Sequence, residues 1–247
     1  MAPLLQVQGL GKSFSGVRAL DGVDVEVNEG EILGLVGPNG SGKTTLFNCV
    51  TGFVRPGNGR VLWQDREVTQ LAPDQIARLG VVRTFQHKMV FPRATVRENI
   101  VMAAQGRLGL LNDAAFRTCD DLLLFLGLTQ MQDSPASDIP FGSARCLGLG
   151  LALATGPRLL LLDEPAAGLN QEETQQLAEM ITRIRGLGIT VWVIEHDVPF
   201  IMGLCDRLIV LHVGRKIAEG KPAGVANEEH VISVFLGEKF ARDRERQ

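Results

Sequence analysis

Three short stretches of this chain combine residue types that can manage a phosphate anion: a glycine-rich turn, two adjacent acids, and a histidine behind another acid. The turn, Gly37-Pro38-Asn39-Gly40-Ser41-Gly42-Lys43-Thr44, fits the P-loop pattern G-x-x-x-x-G-K-[ST]. The apolar run Ile32-Leu33-Gly34-Leu35-Val36 precedes it, and Thr45-Leu46-Phe47-Asn48-Cys49-Val50 can open a helix after it. Glycines let backbone wrap closely around an anion, successive N–H groups point inward, and the following helix adds the positive end of its dipole. Lys43 can reach the β- and γ-phosphates of a nucleotide, and Thr44 can offer its hydroxyl to Mg²⁺. The competing reading is a flexible glycine-rich turn, and the strand-to-helix context decides for nucleotide binding.

The acids end the run Leu159-Leu160-Leu161-Leu162-Asp163-Glu164-Pro165, which reads as a strand buried on both faces with carboxylates at its carboxyl end. Two acids there are costly unless a cation or positioned water meets them. Asp163 is placed to hold Mg²⁺ through water, and Glu164 to take a proton from water attacking the γ-phosphate; the alternative is a pair that merely caps the next helix. Ile189 to Ile194 reads as the next buried strand, ending at Glu195-His196-Asp197. A lone histidine at a strand end is more often structural, but its position beside the other two strand ends makes His196 a γ-phosphate contact. Gly80 to Gln86 returns as a strand ending on an amide; Gln86 either orients water or completes the Mg²⁺ shell, or is a solvent-facing terminus. Phe14, in the turn Ser13-Phe14-Ser15-Gly16, either stacks on a purine or fills a core at a strand end.

Other elements must hold these residues in place. Leu4 to Gln8 and Val23 to Val27 alternate as half-exposed strands, and Gly57 to Trp63 adds another, so an antiparallel β lobe is expected ahead of the nucleotide core. Pro73 to Leu79 reads as a short helix. Val96 to Leu128 carries helical periodicity, clearest over Asp113 to Leu126, and forms a helical lobe. Ser143 to Thr155 should be helical although Gly148 and Gly150 each cost roughly 1 kcal/mol against Ala. Glu172 to Arg185 reads as an amphipathic helix, and Arg207 to Val213 with Lys216 to Glu219 as a hairpin around Gly214. The expected fold class is α/β: a P-loop core with a mostly parallel sheet flanked by helices, an antiparallel β lobe and a helical lobe. The core with its β lobe takes about residues 1–86 and 156–237, the helical lobe about 87–155, and a charged tail 238–247, within one domain over 1–247.

At 247 residues and 45% hydrophobic content, a large α/β core is affordable in surface terms. The net charge of −3 and the lack of a long basic block speak against a nucleic-acid partner. Cys49, Cys119, Cys146 and Cys205 are scattered, so reduced thiols rather than disulfides or zinc are expected. The first residues lack the basic and apolar regions of a signal peptide, and Cys146 to Thr155 is too short to span a bilayer. Any membrane role is therefore expected to be peripheral.

The ordered motifs resemble the ATP-binding subunits of ABC transporters over nearly the whole chain. Beyond GPNGSGKTT, the string LLLLDEPAAGLN is similar to the family's Walker B and D-loop, RTFQ to its Q-loop, and VIEHD to its switch-histidine segment. GPNGSGKTTLFNCVTG, RTFQ, DEPAAGLN, EHDV and RKIAEGKPAGV resemble the branched-chain amino-acid uptake branch. The resemblance implies ATP held by Gly37 to Thr45, with Phe14 stacking on adenine, Lys43 on phosphate, and Thr44, Gln86 and Asp163 on Mg²⁺. It also implies Gln86 as sensor, Glu164 as catalytic base and His196 as switch, with the region near Gln86 and the helical lobe docking a transmembrane permease. Further implied are a second ATP-binding subunit, indirect coupling to a periplasmic or extracellular substrate-binding protein, and a place at the cytoplasmic face of the membrane.

One departure stands out. Where the family carries L-S-G-G-Q, this chain reads Ile139-Pro140-Phe141-Gly142-Ser143. In such transporters the signature of one subunit covers ATP on the other, so Phe141, Gly142 and Ser143 would act in trans. The chain's own P-loop site looks competent while the site borrowing its signature is weakened, which implies an asymmetric pair with a different partner. A nucleotide-gated module of low turnover, or an ATPase serving urea or an envelope lipid, are the competing readings. A GTPase is disfavoured because no Asn/Thr-Lys-x-Asp segment is present.

Overall fold

The computed structural model describes residues 3–84, 90–105 and 118–234. Two sheets organise it. In the first, β1 (Leu5–Phe14) pairs antiparallel with β2 (Val17–Val27) and, on its other side, with β4 (Asn58–Trp63), which carries the two-residue β5 (Arg66–Glu67). Strict alternation in β2 has its consequence: Val23, Val25 and Val27 are buried while Asp24 and Glu26 face solvent. Both strands of this hairpin run longer than the alternation suggests, because the tight Ser15-Gly16 turn, with φ of 45° and 88°, lets pairing continue to Phe14 and Val17.

The second sheet runs in the order β10-β9-β3-β8-β7-β6, comprising β3 (Ile32–Val36), β6 (Val81–Arg83), β7 (Leu159–Asp163), β8 (Thr190–Ile194), β9 (Arg207–His212) and β10 (Arg215–Gly220). All neighbours are parallel except the β9/β10 hairpin. The central strands are unbroken apolar runs because each has two dry faces. Leu160, Leu162, Val191 and Val193 join Ile32 and Val36 in one core, while Leu159, Leu161, Trp192 and Ile194 join Leu33 and Leu35 in the other. The second core is closed by α1 (Lys43–Val50), whose Phe47 meets Trp192 edge-on with centroids 5.0 Å apart.

The first core is covered by α6 (Gln171–Gly186), burying Leu177, Ile181 and Ile184 at helical spacing, and by α5 (Phe141–Ala154). Asn170 starts α6 with a capping box: its side chain accepts from Glu173 N–H while Glu173 accepts from Asn170 N–H. The helix α3 (Val96–Gln105) and α4 (Cys119–Phe125), capped by Thr118, pack against α5. The expected amphipathic stretch from Asp113 falls partly outside the described residues, and within them the helix starts at Cys119. The two glycines of α5 differ. A Cβ on Gly150 would lie 2.5 Å from Leu126 Cδ1, so that buried side chain would have to shift to admit it, whereas one on Gly148 meets nothing within 4 Å. α5 also begins two residues earlier than its sequence suggests, taking in Phe141 and Gly142, with Pro140 as its N-cap.

Candidate active site

The strand order brings distant stretches into one row. β8 lies between β3 and β7, so the glycine-rich turn after Val36, His196 after Ile194, and Asp163-Glu164 at the tip of β7 stand at the carboxyl ends of three adjacent parallel strands. That edge is where open α/β sheets bind ligands.

The turn itself is a cradle that only glycine can build. A Cβ at Gly37 would come within 2.1 Å of Leu211 O, and one at Gly42, whose φ is 106°, within 2.4 Å of Ala19 O. Gly42 is the N-cap of α1 and supplies no side-chain cap, which leaves the first-turn N–H groups of that helix to an outside anion. Lys43, 7% exposed, donates to Gly37 O at 2.7 Å and Pro38 O at 2.9 Å. Its ammonium is thus folded back over the turn where a phosphate would draw it. Ser41 Oγ is buried without a hydrogen-bond partner among the described residues. Gly214, at the tip of the β9/β10 hairpin, donates its N–H to Ser41 O (2.9 Å) and accepts from Asp21 N–H (2.8 Å), bracing the turn against β2.

At the tip of β7 the two acids diverge. Asp163 is 6% exposed and bonded by Arg83 Nη2 to Oδ2 at 2.5 Å. The cation that the buried strand end demands is therefore present in the protein. Glu164, partly exposed, has a left-handed φ of 48°, with its N–H donated to Ile194 O (2.9 Å) and its carbonyl accepting from Ala167 N–H (3.2 Å). A non-glycine residue in this region stores strain of about 1–3 kcal/mol and marks functional sites. The chain leaves the strand in a tight turn at this acid.

His196 is half exposed, its Nδ1 3.6 Å from Glu195 Oε2. Glu195 is fully buried, with Oε1 accepting from Ala166 N–H at 2.7 Å and Oε2 from His196 N–H at 3.1 Å. Burial pushes its carboxyl above the usual range, against the opposing pull of those backbone donors. One side chain thus joins the loop behind Glu164 to the segment bearing His196. Asp197 then caps α7 (Val198–Leu204) by accepting from Phe200 N–H.

Phe14 lies at the end of β1, 46% exposed, with Lys12 Nζ 5.1 Å from its ring centre. The core-filling reading does not hold, because the ring is half exposed. Gln86 lies outside the described residues, and the β6 strand expected to reach it ends at Arg83. Phe141 is exposed at the start of α5; Arg145 lies over its ring at 5.4 Å and donates to Ala167 O at 2.6 Å. The start of α5, with Phe141, Gly142 and Ser143, therefore lies beside the loop that follows Glu164. Sequence reading missed Arg83, Glu195 and Arg145. For Arg83 a signal existed, since a lone arginine ending a short strand can answer an acid ending its neighbour.

Comparison with known proteins agrees with this geometry. The ABC transporter family model matches residues 20–167. The chain belongs to the ABC transporter family. This ABC cassette is 41% identical, over 96% of its own length and 98% of the relative's, to the high-affinity branched-chain amino acid transport ATP-binding protein LivG of Salmonella typhimurium. It is 38% identical to the corresponding protein BraF of Pseudomonas aeruginosa, at 96% and 98% coverage. Among solved structures, the ADP conformation of an ATP-binding cassette of an ABC transporter superposes with a TM-score of 0.85 at 30% identity, covering 96% of this chain and all of that one. The expectations of an ABC-type α/β fold and of an ATP-binding ATPase subunit are borne out. Among the described residues, no helix of this cassette is long and apolar enough to cross a membrane.

Proposed function

We propose that this cassette hydrolyses ATP to drive import of branched-chain amino acids through a separate transmembrane permease, working as one of a pair of ATP-binding subunits. The observation that carries the reading is the row of strand ends on which the glycine turn, Asp163-Glu164 and His196 stand side by side. The cargo rests on the relatives LivG and BraF, whose names specify branched-chain amino acids and which align with almost the whole chain.

In this reading the first-turn N–H groups of α1, Ser41 and Lys43 hold the phosphates, and Lys43 leaves the carbonyls of Gly37 and Pro38 to do so. The orphan Ser41 hydroxyl, the uncapped helix start and the carboxylate of Asp163 fit a metal-bound triphosphate. Thr44 and Asp163, with Gln86, would hold Mg²⁺, which when bound neutralises phosphate charge in the transition state. Glu164, in the turn at the tip of β7, accepts the proton of the attacking water, and His196 contacts the γ-phosphate from the neighbouring strand. Phe14 offers a flat face to adenine. The membrane association is peripheral, on the cytoplasmic face, and an external substrate-binding protein acts through the permease.

A second feature favours an asymmetric pair. Ser143 replaces the signature glutamine, and Phe141 is held by Arg145 beside Ala167. A different partner with a full signature would cover this chain's ATP, and this chain would cover the partner's ATP poorly. Retention of Mg-ATP by the purified chain with and without Lys43→Ala tests the core of the reading. Loss of retention in the variant is expected, and equal retention refutes it. Phosphate release from the assembled transporter separates turnover from mere binding, and a steeper loss on Glu164→Gln here than in the partner supports asymmetry.

A further inference from the structure

We propose that Arg83 is a positioning residue for Asp163: a built-in counter-ion that holds the carboxylate ready and sets how strongly nucleotide binding depends on a divalent metal. The proposal rests on the reading of Asp163 as a metal-shell residue given above.

Three contacts carry it. Arg83 and Asp163 have side chains each 6% exposed and are joined at 2.5 Å through Nη2 and Oδ2. The other terminal nitrogen of Arg83, Nη1, donates to Asn48 Oδ1 at 2.6 Å, and the guanidinium carbon lies 5.6 Å from the centre of the Phe47 ring. Asn48 and Phe47 belong to α1, the helix that begins with Lys43 and Thr44. One planar fork therefore ties together β6, the tip of β7 and the phosphate-binding helix, a task for which a lysine point charge is poorly shaped.

The electrostatics give the pair its consequence. An ionised carboxylate this deeply buried is costly alone, so without Arg83 the nucleotide-free protein would carry an uncompensated charge at the centre of the site. With Arg83 present, Asp163 is neutralised and oriented before any metal arrives. A divalent ion then enters beside a resident cation, and part of its attraction to the carboxylate is offset by repulsion from the guanidinium. Removing the guanidinium takes this resident cation away from Asp163 and leaves more of the carboxylate's attraction to the metal, so metal dependence should steepen. The pair also lies in the wall of a cavity of about 520 Å³ between β6, α3 and α5, which places it between the nucleotide and the helical lobe.

The test compares ATP affinity in saturating Mg²⁺ with that in EDTA, by equilibrium titration, for the full chain and for R83M, R83K and R83M/D163N. Thermal unfolding without nucleotide is measured alongside. The ratio of the two dissociation constants should rise about tenfold in R83M, stay within about threefold of wild type in R83K, and collapse in R83M/D163N. Nucleotide-free R83M should melt below R83M/D163N, because the amide removes the stranded charge. An unchanged ratio in R83M, or R83M melting with or above the double variant, overturns the proposal. Should R83M fail to fold, recovery of folding in R83M/D163N upholds it and failure of both overturns it. If wild type binds ATP in neither condition, the functional reading fails, and the melting comparison alone decides the counter-ion.

Discussion

The left-handed backbone at Glu164 can be weighed by removing its side chain in two ways. Glu164→Ala and Glu164→Gly both delete the carboxylate, and both keep the N–H to Ile194 O and the carbonyl to Ala167 N–H bonds. Only alanine retains the Cβ that makes a φ of 48° unfavourable. The strain at such a residue is about 1–3 kcal/mol, and glycine offsets about 0.4–1 kcal/mol of it through a more disordered unfolded chain. The balance favours glycine by up to about 2.6 kcal/mol, which for a chain of this size corresponds to up to roughly 10 °C in melting temperature. Calorimetric melts of the nucleotide-free variants measure this directly. Glu164→Gly should melt above Glu164→Ala even though both stop releasing phosphate, and Glu164→Gln should melt close to wild type. If Glu164→Ala melts above Glu164→Gly, the turn is not strained and the fold does not hold this residue against its own backbone preference.

Burial raises the Glu195 carboxyl above its ordinary 4.5, so the folded state holds that proton more tightly than the unfolded chain. This contribution is complete below pH 4.5 and is lost as pH climbs through the raised value; Glu195→Gln lacks it, so melts across pH should show wild type losing ground to the variant as pH rises, and a constant gap would refute this. In α5, Gly148→Ala gains about 1 kcal/mol of helix propensity, whereas overpacking at Gly150→Ala costs about 1–3 kcal/mol against the same gain. Denaturant unfolding should therefore rank Gly148→Ala above Gly150→Ala. Phe14→Ala should weaken ATP binding about 2–10-fold while leaving inorganic triphosphate unaffected; equal weakening of both would show that the ring does not stack.

What could be read from the chain alone divides along a physical line. The glycine turn, the buried strands and the α6 helix were legible because their determinants are local: a pattern of glycines, an apolar run, an apolar stripe at helical spacing. The β9/β10 hairpin was legible for the same reason, with Gly214 at its turn. Contacts across strands were not. Arg83 and Asp163 are eighty residues apart, and Glu195 meets Ala166 only because β8 lies beside β7. The demand for a cation at Asp163 could be inferred, but metal and arginine satisfy it equally in sequence terms. Gly150 likewise looked like a defect in a helix, and only the position of Leu126 shows it to be clearance.

The brace at Gly214 bears on how small a working version of this protein can be. The family model stops at residue 167, yet the phosphate turn leans on Leu211 and Gly214, and the middle strand of its sheet starts at Thr190. A fragment cut at that point would keep the glycine turn and Asp163-Glu164, and lose both His196 and the floor beneath the turn. Minimal versions must therefore be trimmed by three-dimensional support, keeping the chain at least through the β9/β10 hairpin.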